Sequence, residues 1–444
     1  MLRKTRPSAG ITRHQWLTLT GTTLGWGMEG FDASLYTLIV VPATTEVLGP
    51  GATTANIAYH AGLGIAIFLV GWALGGLVFG LLSDYFGRVR VLMAAVVLYA
   101  VFTAASAFAQ EFWQLALLRF VAGLGSGVEA PVGAVLMAET WNNRYRARAI
   151  GVMMSGFAGG FFLSSVVYGL IGHHGWRITL LVAVVPAFLA LFIRRFIHEP
   201  EAMTDVKRRR AERKARGVRT AEDRFVLRRL FTPPLLGRMV PCILIQTGAL
   251  FVFWSTTTWT PQIITRLSGA AGDTAAATVS HVSTATAMLN LGGVVGYASW
   301  GFIADAIGRR WAFVVSFAAA LTGIGVLFPF QHGYSTFLWL LPLVGFGIFG
   351  ALGGACVAFP ELFPAGVRAS AIATSNSVGR LFTAAGPLIA GTIATRYFGG
   401  DLGIAVTVIA SLAVLGVVGA LLIPETRDLP FDEPAAQNRN GEQS

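Results

Sequence analysis

Apolar residues in this chain come in runs of about twenty, the length an α-helix needs to cross a bilayer. The runs fall at 16–43, 59–83, 90–109, 111–139, 147–171, 177–197, 238–263, 279–303, 310–330, 335–359, 369–395 and 402–423. They predict an all-α integral membrane protein of twelve transmembrane helices joined mostly by short loops. Two stretches break the rhythm. Residues 198–237 form a basic, Glu-dotted loop, and the tail 427–444 is polar. The expected organisation is an N-terminal six-helix bundle over 1–197, a cytoplasmic linker over 198–237, a C-terminal bundle over 238–426 and a cytoplasmic tail over 427–444.

Composition agrees with this reading. The chain is 54% hydrophobic and 12% charged, whereas soluble domains carry about 25% charged residues. The net charge of +11 first suggests nucleic acid, but its distribution argues against that partner. Basic residues cluster at Arg3, Lys4, Arg6 and Arg13, at Arg144, Arg146 and Arg148, and from Arg194 to Arg229. The intervening loops hold few, mainly Arg177, Arg266 and Arg396. This alternation is the positive-inside asymmetry, and it places both termini and the central loop in the cytoplasm of a bacterial-type inner membrane. Cys242 and Cys356 lie inside apolar runs and read as small apolar filler, not as a disulfide. The first run is too long for a cleavable signal core and contains Glu29 and Asp32.

The chain repeats itself. Gly80-Leu-Leu-Ser-Asp84-Tyr-Phe-Gly87-Arg88 recurs 221 residues later as Gly301-Phe-Ile-Ala-Asp305-Ala-Ile-Gly308-Arg309. Glu139 precedes Arg146 by seven, and 222 residues on Glu361 precedes Arg368 by seven. Two motifs at one spacing, half the chain length, imply two six-helix repeats related by an axis along the membrane normal.

The segment Gly80 to Arg88 resembles the signature loop of the major facilitator superfamily between helices two and three, and its second copy matches the loop between helices eight and nine. Arg119, Gly123, Gly125, Gly127 and Pro131 resemble the family's helix-four pattern. Glu139 with Arg146, Glu361 with Arg368, and Pro424-Glu425-Thr426 resemble its other cytoplasmic signatures. Gly30-Phe31-Asp32, Gly379-Arg380 and Gly386-Pro387 resemble motifs of metabolite:proton symporters. Glu139-Thr-Trp141 and Gly175-Trp176-Arg177 are similar to the sialate:proton and monocarboxylate group, with aromatic acid:proton symporters second. The resemblance implies alternating-access secondary transport by a monomer, with uptake of a small organic anion coupled to protons.

Charged side chains inside a bilayer cost at least about 2.5–3.5 kcal/mol each, so they are functional candidates by default. Arg380 is the fixed cation that can hold a carboxylate with its guanidinium fork. Asn376, one turn earlier, adds a donor. Equally open is a structural role for Arg380, paired with Asp32 or Glu129. Asp32, Glu129 and Glu29 are the proton-coupling candidates, because burial disfavours a charged carboxylate and a nearby arginine favours it. Glu29 reads equally as an interhelical hydrogen-bonding residue. Gln246, Trp254 and Asn290 are candidate pocket residues, with helix packing as the alternative role. Gly80, Asp84, Gly87, Arg88, Asp305, Gly308 and Arg309, with Arg119, Glu139, Arg146, Glu361 and Arg368, are the expected gating and motif positions. In such a latch Arg88 pairs with acids such as Glu139. His281 and His332 sit near outer helix ends.

No zinc-ligand cluster or nucleotide phosphate loop occurs in the sequence, so neither cofactor nor enzymatic chemistry is expected. The competing transport reading is a proton-coupled antiporter exporting drugs or metabolites. The fifth run, Gly156-Phe-Ala-Gly159-Gly160, lacks that class's Gly-Pro pair. A ligand-binding sensor is a third reading.

Overall fold

The computed structural model describes residues 11–86, 88–141, 143–182, 184, 188, 232–330, 333–363 and 368–427. Among them every regular element is helical: α1 (Arg13–Leu48), α2 (Thr54–Phe86), α3 (Arg88–Ser106), α4 (Phe112–Ser126), α5 (Glu129–Thr140), α6 (Asn143–Ile171), α7 (Trp176–Val182), α8 (Pro233–Ala270), α9 (Ala275–Ile307), α10 (Arg309–Leu327), α11 (Tyr334–Leu362), α12 (Arg368–Thr383), α13 (Ala385–Tyr397), α14 (Leu402–Ala410) and α15 (Val414–Leu422). Nine helices among the described residues are long and apolar enough to cross a membrane. The fourth, eleventh and twelfth predicted runs are each split in two, as α4–α5, α12–α13 and α14–α15. The sixth begins as α7, and most of 183–197 lies outside the described residues, as do the loop 198–231 and the tail 428–444.

Two of these splits have one cause. Proline lacks the N–H that the carbonyl four residues earlier requires. Pro131 deprives Gly127, and helix stops at Ser126 and resumes at Glu129. Pro387 deprives Thr383, and helix stops there and resumes at Ala385. Glu129 therefore opens a helix, where the backbone dipole favours a carboxylate.

The repeats pack by the same device. The 221-residue offset of the signature copies also separates Gly71 from Gly292 and Gly75 from Gly296. A methyl group on Gly75 would lie 2.0 Å from the Leu124 carbonyl oxygen of α4, and one on Gly296 2.4 Å from that of Phe346 in α11. Small residues thus let backbones meet where lipid supplies no hydrophobic drive between helices. Between the repeats, contact concentrates on the face opposite the signature loops. Ser283 Oγ of α9 donates to the Ser165 carbonyl of α6 at 2.7 Å. Gly62 of α2 lies against Leu388 of α13. On that same face His281 Nδ1 sits 3.0 Å from Asp273, and His332 is outside the described residues.

The second signature copy forms a closed network. Arg309 grips Glu361 through Nε and Nη2, both at 3.1 Å, and reaches Asp305 at 3.0 Å. This is the pairing expected of Arg88 with Glu139 in the first copy. Glu425 caps α10, accepting from the backbone N–H of Arg309 at 2.9 Å and Arg310 at 3.1 Å. Gly308 makes the approach feasible: its φ is +93°, and a Cβ there would sit 2.6 Å from Glu425 Oε2. In the first copy Gly80 lies in α2, Gly87 is outside the described residues, and so are the side chains of Asp84, Arg88, Glu139 and Arg146. The Arg368 side chain is outside them as well.

Partial burial pushes the Glu425 carboxyl up, but the backbone N–H groups of Arg309, Arg310, Arg427 and Thr426 outweigh it and hold the group below the usual range. A depressed folded value contributes stability at neutral pH that is lost as pH falls through it. Glu425→Gln should therefore lower the thermal midpoint at pH 7 by about 1–3 °C. The gap should close towards pH 4. An equal gap at both pH values, in thermal unfolding of the purified protein, would show that the carboxylate charge is not the cap.

Candidate functional site

Two buried charge constellations stand inside the helix bundle, one in the first repeat and one between the repeats. In the first, Arg119 of α4 meets Asp32 of α1: Nη2 lies 3.0 Å from Oδ2, and Nη1 reaches Oδ1 at 3.4 Å. Thr103 of α3 bridges them, donating to Asp32 Oδ1 at 2.8 Å and accepting from Arg119 Nη1 at 3.0 Å. The Arg119 guanidinium also lies over the rings of Tyr36 at 4.3 Å and Phe68 at 5.0 Å. Asp32, Thr103 and Arg119 are at most 1% exposed. Three helices are pinned by a paired, hydrogen-bonded charge, the form in which buried charges persist.

This corrects two sequence expectations. Asp32 is held by Arg119, not by Arg380. Arg119, grouped with the motif positions, is a second interior guanidinium. The signal was available in part: an arginine and a threonine both interrupt apolar runs, but nothing in linear order says that they meet.

The second constellation surrounds a central cavity. Its wall includes Trp26, Trp72, Phe157, Gln246, Phe253, Trp254, Tyr297, Asn376 and Arg380. Arg380 stands on α12, four residues before the proline-induced break, and its carbonyl accepts from Ala384 N at 2.8 Å. Its guanidinium lies over the Trp72 ring at 4.3 Å, so a cation of the second repeat rests on an indole of the first. Arg380 is 7% exposed, and its Nε has no hydrogen-bond partner among the described residues. Glu29 of α1, wholly buried, acts on Arg380 through space. The acid electrostatically coupled to Arg380 is thus Glu29, where the sequence suggested Asp32 or Glu129. Glu129 is 1% exposed, beside Ala130 of the cavity wall.

Gln246 and Asn376 both line the cavity, with Gln246 Nε2 at 3.5 Å from Asn376 Oδ1. Trp254 lines it too, packed edge-on against Trp72 with centroids 5.6 Å apart. Asn290 does not. Its Nδ2 donates to Ser165 Oγ at 3.2 Å across the repeat boundary, so the side chain joins the repeats. Trp26 and Trp72 were not singled out from sequence, because an indole in an apolar run carries no local mark of lining a cavity.

Beyond the cavity, aromatic rings from both repeats meet. Phe161 of α6 contacts Phe253 of α8 at 5.4 Å and Phe349 of α11 at 6.1 Å. On their far side lies a second cavity lined by Thr37, Tyr168, Thr258, Gln262 and Thr278.

Known proteins agree with this architecture. Over 371 residues the chain is 31% identical to the cis,cis-muconate transport protein of Acinetobacter baylyi, covering 82% of this chain and 86% of the relative. It is also 31% identical, over 419 residues, 92% of this chain and 90% of the relative, to a protein of Cupriavidus pinatubonensis named as a probable 4-methylmuconolactone transporter. Among solved structures, the E. coli xylose transporter in a partially occluded inward-open conformation aligns with a TM-score of 0.73. That match is 17% identical and covers 94% of this chain and 100% of the other. The family model described as Major Facilitator Superfamily matches residues 22–277. The chain is therefore a multi-pass membrane transporter, not an enzyme, and it belongs to the Major Facilitator Superfamily.

Proposed function

We propose that this transporter takes up a small planar organic acid, of the aromatic or muconate type, together with protons across a bacterial inner membrane, with both termini cytoplasmic. One observation carries the reading. Arg380 is a buried guanidinium on the wall of an aromatic cavity, with an Nε donor that has no acceptor among the described residues. A carboxylate satisfies that donor and the charge together. The rings of Trp26, Trp72, Phe157 and Trp254 offer faces and edges for a conjugated body. The relatives named for muconate and methylmuconolactone transport support this class over the sialate group.

Coupling follows from charge balance. A substrate carboxylate at Arg380 competes with Glu29, and a displaced carboxylate buried in the bundle is driven to take a proton. Asp32, Glu29 and Glu129 remain the proton-coupling set, with Asp32 poised against Arg119. A monoanion moving with one proton is electroneutral, whereas each uncompensated charge is worth about 2.3 kcal/mol per 100 mV.

Proteoliposomes test this directly. Labelled cis,cis-muconate, benzoate, gallate and sialate are offered with the outside acidic. At least one planar acid should accumulate above equilibrium, and a protonophore should abolish the accumulation. Accumulation that appears only when protons leave the compartment gaining substrate would make the protein an antiporter and overturn the symport reading.

A further inference from the structure

Arg380 accounts for one carboxylate and leaves three donors of the same cavity wall unexplained. The indole N–H groups of Trp26, Trp72 and Trp254 are buried, and none has an acceptor among the described residues. The three residues are 4%, 1% and 1% exposed, and all line the cavity with Arg380. Buried donors are ordinarily paired, so three orphans around one cavity are costly to keep. Trp72 has a separate task, since its ring face supports the Arg380 guanidinium.

Trp254 and Trp26 have no such task, and both are held rigidly. Trp254 is fixed edge-on by Trp72 at 5.6 Å, by Phe253 at 4.9 Å and by Phe68 at 6.5 Å. Trp26 is stacked on Phe157 at 4.5 Å. One stands on α8 of the second repeat and the other on α1 of the first, so the donors come from both halves.

We propose that Trp254, seconded by Trp26, determines specificity: its indole N–H donates to a second, uncharged oxygen of the substrate while Arg380 holds the carboxylate. That oxygen is a phenolic hydroxyl, a lactone carbonyl or a protonated carboxyl. It is uncharged because Arg380 is the one cation among the described residues of the cavity wall. The other interior guanidinium, Arg119, is committed to Asp32. The proposal rests on the anion-binding reading of Arg380. It makes the site a two-point gauge, in which the carboxylate anchors and the second oxygen selects. A site built to satisfy such a group penalises the analogue that lacks it, because its own donor is then left unpaired.

The test is calorimetric binding to the purified full-length protein at pH 7, with benzoate and the three monohydroxybenzoates as probes. In the parent, at least one hydroxybenzoate should bind about tenfold more tightly than benzoate. Trp254→Phe keeps a ring and removes the N–H. It should bring that ratio to within about twofold, because the hydroxybenzoate loses more affinity than benzoate does. Trp26→Phe, read the same way, decides the matter if Trp254→Phe does not fold. Equal affinities for all four probes in the parent, or equal loss for all four in the variants, overturn the proposal and leave the indoles as packing. Failure of the underlying reading has a different signature: Arg380→Ala would then bind benzoate as the parent does.

Discussion

Replacing Arg380 by Ala is expected to reduce substrate exchange at least about thirtyfold at equal protein abundance. Truncating one partner of a desolvated, hydrogen-bonded charge pair costs about 2–5 kcal/mol, and each 1.4 kcal/mol is about tenfold. No other cation stands on the cavity wall among its described residues, and Arg119 is engaged with Asp32. Fold and binding are separable here. Arg380 is buried at a cost in desolvation, so its removal relieves one penalty while taking away a positive charge that acts on Glu29. Glu29 answers that by holding a proton, and the variant should still purify and unfold cooperatively. Arg380→Lys keeps the charge but loses the planar fork and the flat face that rests on Trp72 at 4.3 Å. It should recover no more than about a tenth of parent exchange. The measurement is counterflow of the labelled acid found in the uptake screen, in proteoliposomes of matched protein content. Parent-like counterflow by Arg380→Ala would move the anion site elsewhere.

The fold was legible in the sequence because it is written in two one-dimensional signals, apolar run length and a repeated motif. Both survive in the structure: the runs become helices, and Arg309 grips Glu361 as the motif implied. The splits at Gly127 and Thr383 were implicit in Pro131 and Pro387, four residues on. The candidate site was legible only as a set of residue types. Charges in apolar runs mark themselves, so Glu29, Asp32, Glu129 and Arg380 stood out, while Arg119 was grouped with the motif positions. Their pairing did not, because it depends on which faces of α1, α4 and α12 turn towards one another. Three residues on α1 separate Glu29 from Asp32, yet Asp32 is held within the first repeat and Glu29 is coupled to Arg380 of the second. Asn290 misled for the same reason: a polar residue in an apolar run marks either a ligand site or a helix joint, and Ser165 at 3.2 Å makes it a joint. Trp26 and Trp72 gave no sign, since apolar residues are expected throughout such helices.

Neutralising the α1 acids should separate coupling from binding. Asp32→Asn keeps an oxygen for the Thr103 hydroxyl and for Arg119 Nη1, both of which meet Oδ1 in the parent. It turns the Oδ2 acceptor into an N–H donor against Arg119 Nη2 and takes the counter-charge from that buried guanidinium. Substrate counterflow needs no net proton movement, so it should persist at about half the parent rate or more, while accumulation driven by an acid-outside gradient falls to equilibrium. Removing the other partner is harsher. Arg119→Ala strands Asp32 at 1% exposure, and breaking a buried pair from one side costs about 3–5 kcal/mol. The double variant Asp32→Asn with Arg119→Ala should regain much of that loss, because no charge is left unpaired, yet it should still fail to accumulate substrate. Glu29→Gln follows a different logic. Glu29 competes with substrate for Arg380, so its neutralisation should tighten binding several-fold and flatten the dependence of affinity on pH, besides weakening accumulation. Glu129→Gln, at the start of α5 where the helix dipole favours a carboxylate, should likewise spare counterflow and weaken pH-driven accumulation. Tracer counterflow and pH-driven uptake, run side by side on one set of proteoliposomes, read all of these. If Asp32→Asn and Glu29→Gln both still concentrate substrate against a gradient, α1 does not carry the coupled proton.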